Sequence, residues 1–238
     1  KNIALYKKII MINSRAYDEV IDSIKQIDEK YITFLDSGFD HPDRERFDKK
    51  ATKQQRILYY QNLEKILKKF SKIYNKKIIF CSHPKSNMSV IKKYLRNIKI
   101  VKFKTRFYIM RSKLIFFHES SSVLDAIIIK KKLWCLQSDT MGKFFKLRNS
   151  LYPNFINCLS SDMSSLAKLS SNEIKKMLKN YNFKLFNRKI LDYLVKNQKS
   201  LNYINKCIKQ KKMLDQNNTN ILGRQEIILF LKQNLNTS

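Results

Sequence analysis

Histidine titrates near neutral pH and donates well to phosphate oxygens, so the three in this chain, His41, His83 and His118, are the natural starting points. Each follows a short apolar run and precedes polar, turn-forming residues. In KKIIFCSHPKSN (residues 76–87) the run ends at Ser82-His83-Pro84-Lys85-Ser86, where Pro84 fixes the exit direction and Lys85 adds a positive point charge. His83 can donate to a phosphate or act as an acid; equally, it can do no more than hydrogen-bond its own loop. In KLIFFHESSSVLDAIII (residues 113–129) His118 and Glu119 precede Ser120, Ser121 and Ser122, and then an apolar helix. One hydroxyl there is an ordinary N-cap. Three exceed what capping requires and, with the free N–H groups of a helix start, suit an anion. Glu119 can take ribose hydroxyls or hold His118. Asp36, Asp40 and His41 follow an earlier run; a carboxylate there can serve as a general base, or both aspartates can make Asx turns. Thr105 and Ser112 read as hydroxyl contacts or caps, while Asp139, Thr140 and Gly142 follow a later run on the same expected rim.

Other chemistries are excluded by what is missing. The chain has no Walker A sequence, GxGxxG, GxSxG, HExxH or DxD, and with three glycines it cannot build a glycine-rich phosphate loop. Phosphate recognition must then rest on hydroxyls, histidine and helix starts. Cys81, Cys135, Cys158 and Cys207 form no CxxC pair. The first three fall in predicted strands, so they read as buried, reduced thiols of a cytosolic protein, and no metal site is expected.

The elements that must position these residues alternate. Strands are expected at Tyr31 to Leu35, Ile78 to Ser82, Ile98 to Phe103, Leu114 to Phe117, Leu133 to Gln137 and Phe155 to Leu159. Between them, Tyr59, Leu63, Ile66, Leu67, Phe70 and Ile73 recur at helical spacing within a long helix, Lys53 to Tyr74. Shorter helices are expected at 89–96, after Ser120 and at 143–150, with a helical turn near 106–110. Strands and helices in this order give an α/β fold, a doubly wound, Rossmann-like parallel sheet, which binds ligands outside the carboxyl ends of its strands. Past Asp162 the pattern is helical only, at 173–181, 188–196 and 225–235.

The formal charge of +30 comes from positive residues spread along the whole chain, Lys far more often than Arg. Arg is favoured for bidentate base and phosphate contacts, so attraction to anionic lipid or a phosphorylated substrate is expected rather than specific nucleic-acid binding. No apolar run approaches the roughly 20 residues of a membrane helix. The opening KNIALYKKII is too short and too basic to read as a signal peptide.

An apolar strand ending in His-Pro, followed roughly 35 residues later by an apolar strand, His, a Ser-Ser pair and a helix, resembles the C-terminal nucleotide-binding half of GT-B glycosyltransferases. The likeness covers about Tyr31 to Asp139 and is nearest to bacterial surface-polysaccharide enzymes, including sialyltransferases and polysialyltransferases with HP and Ser-Ser motifs. Two features depart from that pattern: no proline lies near Lys132, and the acidic-acidic-Gly motif has only a loose echo in Asp36-Ser37-Gly38. The resemblance implies a glycosyltransferase whose substrate is a nucleotide-sugar donor, CMP-linked or otherwise; with no DxD motif and a cradle that itself neutralises the leaving phosphate, it is expected to be inverting and metal-independent, without a cofactor. The likeness implies that His83 and a serine pair, Ser120 and Ser121 or Ser121 and Ser122, bind the donor's phosphate, and that the general base lies in an N-terminal domain. The residues themselves add Pro84, Lys85, Ser86, Thr105, His118, Glu119 and Asp139 as expected donor contacts and Asp36 as a candidate base. The likeness further implies a capsule or lipopolysaccharide glycan or glycolipid as acceptor, and a cytoplasmic site peripheral to an anionic inner membrane. The expected organisation is residues 1–30 as a linker or remnant of an N-terminal acceptor domain, 31–160 as the donor-nucleotide domain and 161–238 as a helical extension. The absence of an initial Met gives the further expectation of a fragment. The other readings are a non-catalytic nucleotide-sugar or polysaccharide binder and a basic nucleic-acid-binding protein.

Overall fold

The computed structural model describes residue 20 and residues 28–39, 46–156 and 158–181. Asp40, His41, Cys207 and the helices expected at 188–196 and 225–235 lie outside them. Six strands form one parallel sheet: β1 (Tyr31–Leu35), β2 (Lys77–Cys81), β3 (Lys99–Val101), β4 (Ser112–Phe117), β5 (Lys132–Gln137) and β6 (Leu159–Asp162). Their order is β3-β2-β1-β4-β5-β6. The chain therefore winds outward from β1 to β3, crosses back, and winds the other way from β4 to β6. This is the doubly wound, Rossmann-like order, and its switch point lies between β1 and β4.

The connecting helices are α1 (Lys53–Tyr74), α2 (Met88–Tyr94), α3 (Thr105–Met110), α4 (Val123–Ile128) and α5 (Lys143–Ile156), with α6 (Met163–Lys168) and α7 (Ser171–Asn180) after β6. Right-handed crossovers place α1 and α2 on one face, where α6 and α7 pack onto α1, and α3, α4 and α5 on the other.

Helix α1 begins at a capping box: the Thr52 hydroxyl accepts from the Gln55 N–H at 3.1 Å, and the Gln55 amide oxygen accepts from the Thr52 N–H at 2.9 Å. It ends at Asn75, whose φ of 50° is the left-handed stop that Asn tolerates. Its buried stripe lays Phe70 edge-on against Phe116 and Trp134, at 4.7 and 5.1 Å between ring centroids. Phe34, Phe80 and Leu63 complete this layer. Full burial of each such side chain contributes about 1.5–3 kcal/mol, so one helix face holds the sheet.

Most strand and helix ends shift by one or two residues from the sequence expectation, and one boundary moves further. Strand β6 is Leu159–Asp162 rather than 155–159, because α5 runs straight through Pro153 to Ile156. A proline in a helix interior strips the carbonyl four residues back of its donor. Here that carbonyl is Asn149's, and β5 supplies replacements: the Gln137 side-chain amide donates to it at 3.2 Å and the Cys135 thiol at 3.6 Å. The polar LSSD strand carries little apolar signal and is tied in by Trp134, whose indole N–H donates to the Ser161 hydroxyl at 3.1 Å. Cys81 and Cys135 lie within strands and Cys158 just before β6; all three are free, buried thiols. Burial pushes the Cys81 and Cys158 thiols up to about 12, so neither is a thiolate nucleophile.

Candidate functional site

A cavity of about 390 Å³ opens at the carboxyl ends of β1, β2 and β4, at the switch point of the sheet. Strand β1 delivers Asp36 and Ser37 to it, β2 delivers His83 and Pro84, and α3 begins at its edge with Thr105. The turn after β4 contributes Glu119, Ser120, Ser121 and Ser122. The two segments carrying the sequence motifs thus meet in one place.

Asp36 is the joint between the first two loops. Its Oδ1 accepts from the N–H groups of Gly38 at 2.9 Å and Phe39 at 3.4 Å, an Asx turn that Gly38 completes at φ 82°. Its Oδ2 accepts from the His83 N–H at 3.1 Å and the Ser86 hydroxyl at 2.9 Å. Burial pushes the Asp36 carboxyl above its ordinary range, while the His83 N–H and the other donors pull it back. With four donors on its two oxygens the carboxylate is a brace, and its lone pairs are committed to the two loops rather than to a substrate proton.

The brace fixes the His83 backbone, and a local bond fixes the ring. His83 Nδ1 accepts from the Lys85 N–H at 3.2 Å, so in the neutral imidazole the proton sits on Nε2. Ser86 closes the turn through its N–H to the His83 carbonyl at 3.0 Å and is itself buried toward Asp36. Lys85 is exposed. Neither Lys85 nor Ser86 lines the cavity.

His118 behaves in the opposite way. The ring is fully buried: Nδ1–H donates to the Leu136 carbonyl at 2.6 Å, which leaves Nε2 to accept the Tyr59 hydroxyl at 2.8 Å. Burial lowers its pKa to about 4, so it stays neutral. It does not reach the cavity, contrary to the expectation from the His-Glu-Ser-Ser run. Tyr59 of α1, with its own ring stacked on Phe39 at 4.0 Å between centroids, draws it into the core.

Glu119, next in sequence, does line the cavity. Arg148 of α5 ion-pairs with its Oε1, while Oε2 is buried without a hydrogen-bond partner. Burial raises the Glu119 carboxyl, and Arg148 opposes this. Ser37 Oγ is likewise buried without a partner, and Ser37 lines the same cavity. Buried polar atoms are rarely left unsatisfied, so two around one cavity mark places for a polar ligand's donors. In the serine turn, only Ser120 Oγ makes a local bond, accepting the Ser122 N–H at 3.3 Å. Helix α4 starts at Ser122 with no side-chain cap, and α3 likewise starts at Lys104 without one. The ordinary N-cap expected among the three serines is therefore not made, because Ser122 takes a helical backbone with φ −66° and ψ −11° and its hydroxyl does not cap the helix.

Asp139 is not brought in: it is exposed and ion-paired with Lys146. Gly142 serves α5 instead. At φ 89° it lets Asp48 come so close that an added Cβ would lie 2.4 Å from the carboxyl carbon. That carboxylate accepts from the Phe144 and Phe145 N–H groups, each at 3.2 Å, capping the helix. Phe145 then closes one side of the cavity. Sequence reasoning missed Ser37, Phe145 and Arg148. The Asp36-Ser37-Gly38 echo was a usable signal for Ser37; nothing marked the other two. Among the described residues, no group of three or more His, Cys, Asp or Glu side chains converges to hold a metal ion, and no helix is long and apolar enough to cross a membrane.

No family model and no curated protein matches the chain. It is similar to two solved structures of UDP-GlcNAc 2-epimerase from Methanocaldococcus jannaschii. One is in complex with UDP-GlcNAc and UDP; the likeness has 15% identity and a TM-score of 0.45 over 85% of this chain and 55% of that one. The other has 15% identity and a TM-score of 0.40 over 81% and 50%. The chain spans about half the length of the structures it matches.

Proposed function

We propose that this chain binds a nucleotide-activated sugar at the switch-point cavity and serves as the donor-binding half of a glycosyltransferase that builds a surface glycan. One observation supports this most: His83, Thr105 and the Ser120–Ser122 turn line a single cavity that also holds the unpartnered Ser37 Oγ and Glu119 Oε2. The donor's phosphate takes the hydroxyls and the His83 Nε2–H, and as the sugar–phosphate bond breaks these donors neutralise the charge developing on the leaving group. A carboxylate oxygen repels phosphate, so Glu119 Oε2, held by Arg148, accepts hydroxyls of the ligand's ribose or sugar. Asp36 holds the β1 and β2 loops in register, and the base that activates the acceptor comes from elsewhere in the enzyme. The acceptor is a capsule or lipopolysaccharide glycan or glycolipid, and the +30 charge favours working against an anionic membrane surface.

Calorimetric titration with CMP, CDP and UDP tests the reading. Saturable binding of at least one nucleotide is expected, with His83→Ala and a Ser121→Ala/Ser122→Ala pair each weakening it by about tenfold, roughly 1.4 kcal/mol. Absence of nucleotide binding, or binding indifferent to both changes, overturns it. Steeply salt-dependent RNA or DNA binding in its place would favour a basic nucleic-acid-binding protein.

A further inference from the structure

A second concavity adjoins the first along the wall formed by Ser120 and Ser121. It has a volume of about 790 Å³ and runs between α4 and α5, with Val123, Leu124 and Ile127 on one side and Leu151 and Ile156 on the other. The stretch of α5 from Arg148 to Ile156 is roughly 12 Å long, so the apolar part is a slot of that order. Arg148 stands at the serine wall, because its ion pair with Glu119 holds it there and its guanidinium packs 5.4 Å from the Phe144 ring centroid. A guanidinium carries five N–H donors, and a single carboxylate does not use them all.

We propose that this groove takes the hydrocarbon chain of a single-chain phosphorylated lipid, an alkyl or isoprenoid phosphate, with its phosphate between Arg148 and the Ser120 and Ser121 hydroxyls. The two ends of the groove differ in the way such a molecule does: cation and hydroxyls at one end, aliphatic side chains and the Tyr152 ring along the rest. A neutral lipid would leave Arg148 and the serines unused. A nucleotide would set ribose and phosphate against Leu and Ile. The +30 chain also draws anionic amphiphiles to its surface. The apolar walls and Arg148 lie outside the donor cavity, whereas Ser120 and Ser121 border both; within the proposed function, the lipid would be the carrier of the acceptor glycan.

The test uses farnesyl phosphate, kept below its aggregation concentration, and the whole chain. Saturable binding is expected, with farnesol at least about tenfold weaker and inorganic phosphate weaker still. Leu151, 61% exposed, tolerates a charge without unfolding, so Leu151→Glu should cost about tenfold in farnesyl phosphate affinity, and Leu124→Glu should do the same. Leu58→Glu, exposed on α1 across the sheet, should change nothing. Nucleotide binding should survive Leu151→Glu, while His83→Ala should spare farnesyl phosphate, so the two proposals fail separately. No farnesyl phosphate binding, equal binding by Leu151→Glu, or farnesol binding as tight as farnesyl phosphate overturns the inference.

Discussion

His83 and His118 leave their strands in the same way in the sequence, an apolar run followed by His and a polar turn, yet they end in opposite environments. His83 is half-exposed at the cavity, its ring oriented by the next loop residue and its backbone held by Asp36. His118 is sealed under Tyr59, bonded at both nitrogens. The difference comes from other elements: the turn after β2 leaves His83 at the edge of the cavity, whereas the His118 ring at the end of β4 is taken by the Tyr59 hydroxyl of the long helix α1. A histidine's role is set by what faces it across the fold, and the residue facing His118 is 59 positions away in sequence.

The largest effect that sharpens this contrast is on stability. His118→Ala strands the Tyr59 hydroxyl and the Leu136 carbonyl and opens a void, so the urea midpoint should report a loss of roughly 4 kcal/mol. Little change in midpoint would mean that His118 is not a core residue. Next is the pH dependence. The folded pKa of about 4 lies below the unfolded 6.5, so the unfolded chain binds the extra proton. Stability from this group is whole above pH 6.5 and declines as pH falls toward 4, by on the order of 3 kcal/mol. Urea titrations at several pH values, compared with His118→Gln, isolate it, and an unchanged slope in the variant would contradict the assignment.

Asp36→Asn comes third. An amide turns donors toward one pair of N–H or O–H groups, either Gly38 and Phe39 or His83 and Ser86, at a cost of about 2 kcal/mol. It should weaken nucleotide binding through the displaced His83 loop. A stable variant with intact binding would remove the brace. The smallest expected stability effect is His83→Ala, within about 0.5 kcal/mol because the site is on the surface, with its loss confined to ligand affinity. A large drop in the urea midpoint would break the comparison.

Much of the fold was legible. Strand β1 and helix α1 match their expected bounds residue for residue, because the apolar run is clear over Tyr31–Leu35 and the helical spacing over Lys53–Tyr74. The serine triplet and the His-Pro turn line one cavity, at the strand exits of the parallel sheet. What was not legible depends on partners distant in sequence. The helix expected at 143–150 stopped short because nothing in the local sequence shows that Gln137 and Cys135 satisfy the Asn149 carbonyl, which Pro153 leaves without its donor. His118 read as a ligand because Tyr59 comes from another element. Asp36 read as a base or a turn, and its four donors come from two separate loops. Arg148 and Phe145 enter through α5, whose placement rests on Gly142 and Asp48.

The account turns on the phosphate-binding role of His83 at a cavity that His118 does not share, and imidazole NMR during a titration with UDP or CMP tests that directly. The His83 ring resonances should shift saturably with nucleotide while those of His118 stay fixed. Nucleotide binding that leaves the His83 resonances unmoved, or moves those of His118 instead, would contradict it.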